Sequence, residues 1–194
     1  MLTVAAVCVP GGIYNLSHVE RLFAQVRQHL SMPFKEHVIL ESDKPGWFSK
    51  IDLFQPGRFT GRVLYLDLDS TVIGSLDDLA MIPAPFAIVK NFKEFKEPNK
   101  AMFNSSVMVW DAGVADHIYN NFTPTVMDRL NGDQDWISEQ IPHADTFPSD
   151  WCVSYKVRRA KLNTMPKDAR VVCYHGFPKS WDLPDNDLER FTFV

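Results

Sequence analysis

The stretch Arg62-Val63-Leu64-Tyr65-Leu66-Asp67-Leu68-Asp69 ends the most hydrophobic run of the chain on two carboxylates, two positions apart. Consecutive apolar residues predict a strand over Arg62 to Leu66 buried on both faces, as in a parallel sheet covered by helices. Residues two apart in a strand share a face, so Asp67 and Asp69 are expected to point the same way. Close carboxylates repel one another, and a divalent cation would relieve the repulsion. The pair is therefore a candidate metal site. The plainer reading makes Asp67 a cap of the next turn and Asp69 a solvated side chain.

Working outward, Leu2 to Val9 is a short β-branched run closed by Pro10-Gly11-Gly12, a strand followed by a loop. Ser17-His18-Val19-Glu20 has the form of a capping box, and Val19, Leu22, Phe23, Val26 and Leu30 then recur on one helical face. His37 to Leu40 reads as a second strand and Trp47 to Phe54 as a short helix. The βαβαβ order predicts an α/β fold with a central mixed, largely parallel sheet flanked by helices, and ligands outside the carboxyl ends of its strands. Farther on, Phe86 to Val89, Ser106 to Trp110 and Arg170 to Tyr174 read as strands. Val114 to Asn121 and Gln134 to Ile141 read as helices. No repeat or linker divides the chain, so residues 1–194 are expected to form one domain.

Composition narrows the classes. A chain of 194 residues with 45% hydrophobic and 12% aromatic content can bury a full core. A net charge of −4 gives no overall footprint for nucleic acid or an anionic membrane. Cys8, Cys152 and Cys173 are odd in number and far apart, which favours neither a disulfide framework nor a zinc site and fits a cytoplasmic protein. The opening MLTVAAVCVP lacks a positive leader, and its apolar run is too short for a transmembrane segment. Two basic clusters, Lys90 to Lys100 and Lys156 to Lys161, are expected to be solvated surface, with guidance of an anionic acceptor as the alternative.

Two enzyme classes place D-x-D after a buried strand. Asp67-Leu68-Asp69-Ser70-Thr71 spells the D-x-D-x-[TV] of haloacid-dehalogenase-type phosphatases, in which Asp67 would be the nucleophile and Asp69 the general acid/base. That scheme starts at its first strand and needs a later acidic pair. Here a βαβα unit precedes the motif, Gly132-Asp133-Gln134-Asp135 lacks the last aspartate because position 137 is Ile, and Asp77-Asp78 follows too soon.

Four segments in order instead resemble family 8 glycosyltransferases of the GT-A fold, in a compact bacterial and phage branch. Tyr65 to Asp69 with Val72 to Leu79 is similar to the family's D-x-D strand and its exit. Phe103-Asn104-Ser105-Ser106-Val107-Met108 is similar to its F-N-[SA]-G-V-[ML] strand, and Gly132-Asp133-Gln134-Asp135-Trp136 to its D-Q-D segment. His175-Gly176-Phe177-Pro178-Lys179-Ser180-Trp181 is similar to its closing H-x-x-G-x-x-K-P-W, with a shorter His-to-Lys spacing.

The resemblance implies a metal-dependent transferase that moves a hexose from a nucleotide sugar, a UDP-sugar above all, with retention of configuration. It divides the domain into a nucleotide-binding half, 1–110, and a sugar and acceptor half, 111–194. It implies Asp67, Asp69 and His175 as ligands of Mn²⁺ or Mg²⁺. It implies donor contacts from Tyr14, Lys50, Asp67, Leu68, Asn104, Ser105, Gly176 and Lys179, with Asp133 and Gln134 as donor contacts and catalytic residues. The acceptor, whether glycan, lipid-linked glycan, protein or modified nucleic acid, is not specified. The family's acidic residue at the end of the first strand is replaced by Val9-Pro10-Gly11-Gly12, which leaves the nucleobase open, with Tyr14 as its stacking candidate. A binding module without turnover is the third reading, after the transferase and the phosphatase.

Overall fold

The computed structural model describes residues 1–92, 102–158 and 163–194. Strand β1 (Leu2–Val7) lies between β2 (Phe34–Ile39) and β3 (Arg62–Leu66), parallel to both. The sense reverses at the next neighbour. β3 pairs antiparallel with β6 (Phe103–Asp111), β6 antiparallel with β5 (Phe86–Lys90), and β7 (Asp145–Thr146) closes that edge parallel to β5. The six-stranded order is β2-β1-β3-β6-β5-β7.

The two faces of β3 separate two cores. Leu64 and Leu66 join Val4, Ala6, Val107 and Val109 under helix α1 (Leu16–His29), which buries Leu22, Phe23 and Val26 there. Side chains of this kind contribute about 1.5–3 kcal/mol each when fully buried. Val63 and Tyr65 face the other way and pack with Met108, Trp110, Ile51, Phe54, Trp136 and Ile137. The near-continuous apolar reading of β3 thus reflects helical cover on both sides.

Several boundaries move for identifiable reasons. The N-cap of α1 is Asn15 rather than Ser17: its side chain accepts the Ser17 N–H at 2.9 Å, while His18 Nδ1 accepts the Asn15 N–H at 3.0 Å. An imidazole nitrogen here does what Glu or Gln does in the usual box. The turn before β3 is a 3₁₀ helix, Gly46–Phe54. β2 starts three residues early, because as an edge strand it can carry exposed Lys35 and Glu36.

A second, three-stranded sheet forms from β4 (Ser70–Val72), β8 (Cys152–Ser154) and β9 (Val171–Cys173), with β9 in the middle, antiparallel to β4 and parallel to β8. Cys173 lies opposite Ser70. The residues that follow β9 therefore run alongside Asp69. All three cysteines are free and buried, and no helix among the described residues is long and apolar enough to cross a membrane.

Candidate functional site

Because β3 and β6 are antiparallel, the carboxyl end of one and the amino end of the other meet at the same edge of the sheet. The Asp67 N–H donates to Ser106 O at 2.8 Å, after which the chain turns, with the Ser70 N–H on Asp67 O at 3.0 Å. Asp67 and Asp69 thus sit on a tight turn between β3 and β4, and the expected two-residue strand repeat is not what pairs them. They nevertheless act on each other. Burial raises the Asp69 carboxyl above the usual carboxylate range, the charge of Asp67 raises it further, and Lys179 and Tyr14 oppose the rise.

Under Asp67 lies a buried polar cluster. Lys50, from the 3₁₀ helix, places Nζ 3.0 Å from Asp67 Oδ1 and 3.1 Å from Asp133 Oδ2. It also donates to Ser105 Oγ at 3.0 Å, and Ser105 Oγ donates to Asp133 Oδ2 at 2.5 Å. The Tyr65 hydroxyl donates to Asp67 Oδ1 at 2.5 Å. Burial alone would lower the Lys50 ammonium's affinity for its proton, but Asp133 and Asp67 hold it above the ordinary lysine value. Lys50, Ser105 and Asp133 are therefore the buried base of the site. Above them, on the rim, Asn104 donates to Gln134 Oε1 at 3.5 Å, both side chains being half-buried. Asp133 and Gln134 open helix α2 (Asp133–Gln140), whose cap residue Gly132 makes no side-chain cap.

The closing segment approaches from the other side. Lys179 Nζ donates to Asp69 Oδ2 and, at 3.2 Å, to the Tyr14 hydroxyl, which itself donates to Asp69 Oδ2 at 2.9 Å. Lys179 and Asp69 are both buried. Tyr14, offered by the sequence as a nucleobase stack, thus also has its hydroxyl in the carboxylate site. Next to this pair stands Arg21, a residue that sequence reasoning missed. Its Nη2 donates to Leu68 O at 2.9 Å and its Nη1 to Ser180 Oγ at 2.5 Å, and its guanidinium lies 5.1 Å over the Trp181 ring. No local signal marks it, since its two partners are 47 and 159 positions away.

His175 is placed differently. Its Nε2 is 2.6 Å from Ser154 Oγ, and its ring stacks on Phe92 at 5.5 Å between centroids. Among the described residues no group of three His, Cys, Asp or Glu side chains is gathered closely enough to hold a metal ion, so the expected Asp67, Asp69 and His175 trio is not assembled as such. The two aspartates still suit a hard cation. Mn²⁺ or Mg²⁺ takes oxygen ligands and commonly binds through one or two carboxylates plus substrate phosphates, and the mutual repulsion at Asp69 is what such an ion relieves. Gly176 has a left-handed φ of +73°, and the Lys156 ammonium stands 2.7 Å from where a Cβ there would be. Beyond His175, a cleft of about 310 Å³ is lined by Phe92, Phe147, Ser149, Ser154 and Arg158. Much of both basic clusters, residues 93–101 and 159–162, lies outside the described residues.

No protein-family model matches the chain, and no curated protein sequence does. Solved structures with the same fold are found. The glycosyltransferase GlyE of Streptococcus pneumoniae TIGR4 superposes with a TM-score of 0.67 at 13% identity, over 94% of this chain and 56% of GlyE. The chain thus spans little more than half of that structure. The galactosyltransferase LgtC, in complex with donor and acceptor sugar analogs, superposes with a TM-score of 0.65 at 13% identity over 97% of this chain and 93% of LgtC. An active-site mutant of LgtC superposes with a TM-score of 0.67 at 14% identity over the same shares. The fold is that of GT-A glycosyltransferases.

Proposed function

We propose that this chain is a glycosyltransferase of the family 8 type, which transfers a hexose from a nucleotide sugar, a UDP-sugar in the first instance, with retention of configuration. The observation that carries the reading is the meeting of Asp67 and Asp69 with Lys50, Lys179, Tyr14 and the Asp133-Gln134 helix start at one edge of the sheet. The likeness of fold to LgtC and GlyE supports it.

In this reading Asp67 and Asp69 would hold a divalent cation, Mn²⁺ or Mg²⁺, with His175 as a third ligand once its bond to Ser154 is given up, and the ion would supply positive charge to offset that of the donor diphosphate. Lys179 moves its ammonium from Asp69 to a phosphate oxygen and stabilises the leaving group as the sugar–phosphate bond breaks. Gly176 admits the diphosphate close to its backbone, beside the Lys156 ammonium that stands where a side chain would be. Asn104 and Gln134, on the rim, orient the sugar hydroxyls. Asp133 is covered by Ser105 and Lys50, so it acts by holding that base in place and by its negative charge beneath the sugar.

The test is thermal stabilisation by UDP and a panel of UDP-sugars with and without Mn²⁺. Stabilisation that requires both UDP and metal, and that disappears in Asp69→Ala and His175→Ala, supports the assignment. Hydrolysis of a phosphomonoester with Mg²⁺ and no response to UDP makes the chain a phosphatase with Asp67 as nucleophile. Tight UDP-sugar binding with neither transfer nor hydrolysis makes it a binding module.

A further inference from the structure

Leu68 lies between the two aspartates of the turn, and Ser180 follows Lys179 directly. One guanidinium holds both. Arg21 Nη2 takes the Leu68 carbonyl and Nη1 the Ser180 hydroxyl. Its flat face is covered by Trp181, and the Trp181 ring packs in turn, between centroids, at 4.1 Å from His18 in the first turn of α1 and at 5.8 Å from Tyr14, the residue before the α1 cap. The closing turn is stiffened on its own account, since the Lys179 N–H donates to Asp182 Oδ2 at 2.8 Å and the Asp182 N–H to Lys179 O at 3.1 Å. Among the described residues that turn is joined to the D-L-D turn by Arg21, by the Lys179–Asp69 contact itself and by the Tyr14 hydroxyl bonded to both.

The contact between Lys179 and Asp69 cannot serve as the fixed joint if Lys179 is to take a phosphate. Arg21 can, because its bonds involve neither charged partner. The geometry is also specific to arginine. Two acceptors and a stacked ring are met by a planar fork, which a lysine ammonium cannot reproduce. Arg21 Nε is buried and has no hydrogen-bond partner among the described residues. An orphaned N–H on a buried guanidinium is unfavourable, so packing alone gives no reason for an arginine here.

We infer that Arg21 is a positioning residue, which locks the D-L-D turn and the Lys179 segment to helix α1 so that Lys179 stays within reach of the anion as it leaves Asp69. The second half of this statement rests on the donor reading above; the first half does not.

The experiment uses the full chain with Arg21→Ala, Arg21→Lys and Ser180→Ala, and with Arg27→Ala as a control on the exposed side of the same helix. Amide hydrogen exchange over residues 176–182 is measured beside the affinity for UDP with Mn²⁺. Arg21→Ala is expected to speed exchange at 176–182 while β1 and β3 stay protected, and to weaken UDP about tenfold or more, as for loss of buried charged hydrogen bonds. Arg21→Lys restores little of either. Added ethylguanidinium restores part of both in Arg21→Ala, which a general loss of stability would not allow. Unchanged exchange at 176–182 in a folded Arg21→Ala overturns the bridge, and faster exchange with unchanged UDP affinity overturns its positioning role. If the wild-type chain binds no UDP, the donor reading falls and exchange alone decides the bridge. If Arg21→Ala does not fold, Ser180→Ala, which removes one arm only, takes its place in the same two measurements, with the same results supporting or overturning the bridge.

Discussion

Lys179 reaches Asp69 across 110 residues of sequence, and Tyr14 is hydrogen-bonded to both. Two charges removed from water in this way stabilise a fold little, because desolvation offsets most of their attraction. Loss of one partner is another matter, since it leaves a buried charge alone. Lys179→Met is therefore expected to lower stability by about 3–5 kcal/mol, while Lys179→Met with Asp69→Leu recovers most of that loss. On the donor reading, both variants are expected to lose UDP binding. Urea denaturation of the two single variants and the double variant measures the coupling, and additive losses would show that the pair is not a unit.

The hydroxyl and the ring of Tyr14 can be separated. Tyr14→Phe keeps an aromatic ring beside Trp181 and any stacking on a nucleobase, but removes the hydrogen bonds at 2.9 and 3.2 Å. If the hydroxyl holds Asp69 and Lys179 in place, Tyr14→Phe weakens UDP about tenfold, the scale of one hydrogen bond to a charged group. A silent Tyr14→Phe beside a damaged Tyr14→Ala would assign the residue to the ring instead. Calorimetric titration of the three proteins with UDP and Mn²⁺ distinguishes these.

Acid should loosen the start of α1. His18 Nδ1 accepts the Asn15 N–H, and burial, then the charge of Arg21, lowers the imidazole from its ordinary 6.5. The folded chain thus takes up this proton less readily than the unfolded one. The contribution is complete above pH 6.5 and is lost as the pH falls from there through the lower folded-state value. His18→Gln, which has no proton to gain, should flatten this part of a Tm profile measured between about pH 8 and about pH 5. An unchanged acid slope would place the effect at another group.

The large elements are legible in the sequence because their physics is local. The apolar run of β3 and the 3.6-residue stripe of α1 both read correctly, and β3 matches at both ends. What the sequence cannot announce is made by partners. β4, β7 and β8 have two or three residues each, too few to carry a period, and exist through their neighbours. The D-L-D motif is recognisable, but its turn is not, because Leu68 reads as one more strand residue until Ser70 begins pairing with Cys173. Lys50 is expected from sequence to touch the donor, and its burial between Asp67 and Asp133 depends on two carboxylates from distant segments. Arg21 lies in plain sight on a helix, with nothing nearby to distinguish it from Arg27.

Strand β6 changes allegiance part-way along. β5 pairs with it at Met108 and resumes at Asn104, while between them Ser106 O and Val107 belong to β3 and the turn that follows. Three residues are thus looped out from β5, two of them held by β3 and its exit, and they determine on which side of the sheet each successive side chain emerges. For anyone altering this scaffold, segment 105–107 is where length is not negotiable. Deleting one residue would swing Asn104 to the opposite surface and carry Ser105 off Lys50. An extra residue in the exposed turn at 113–114 would disturb neither.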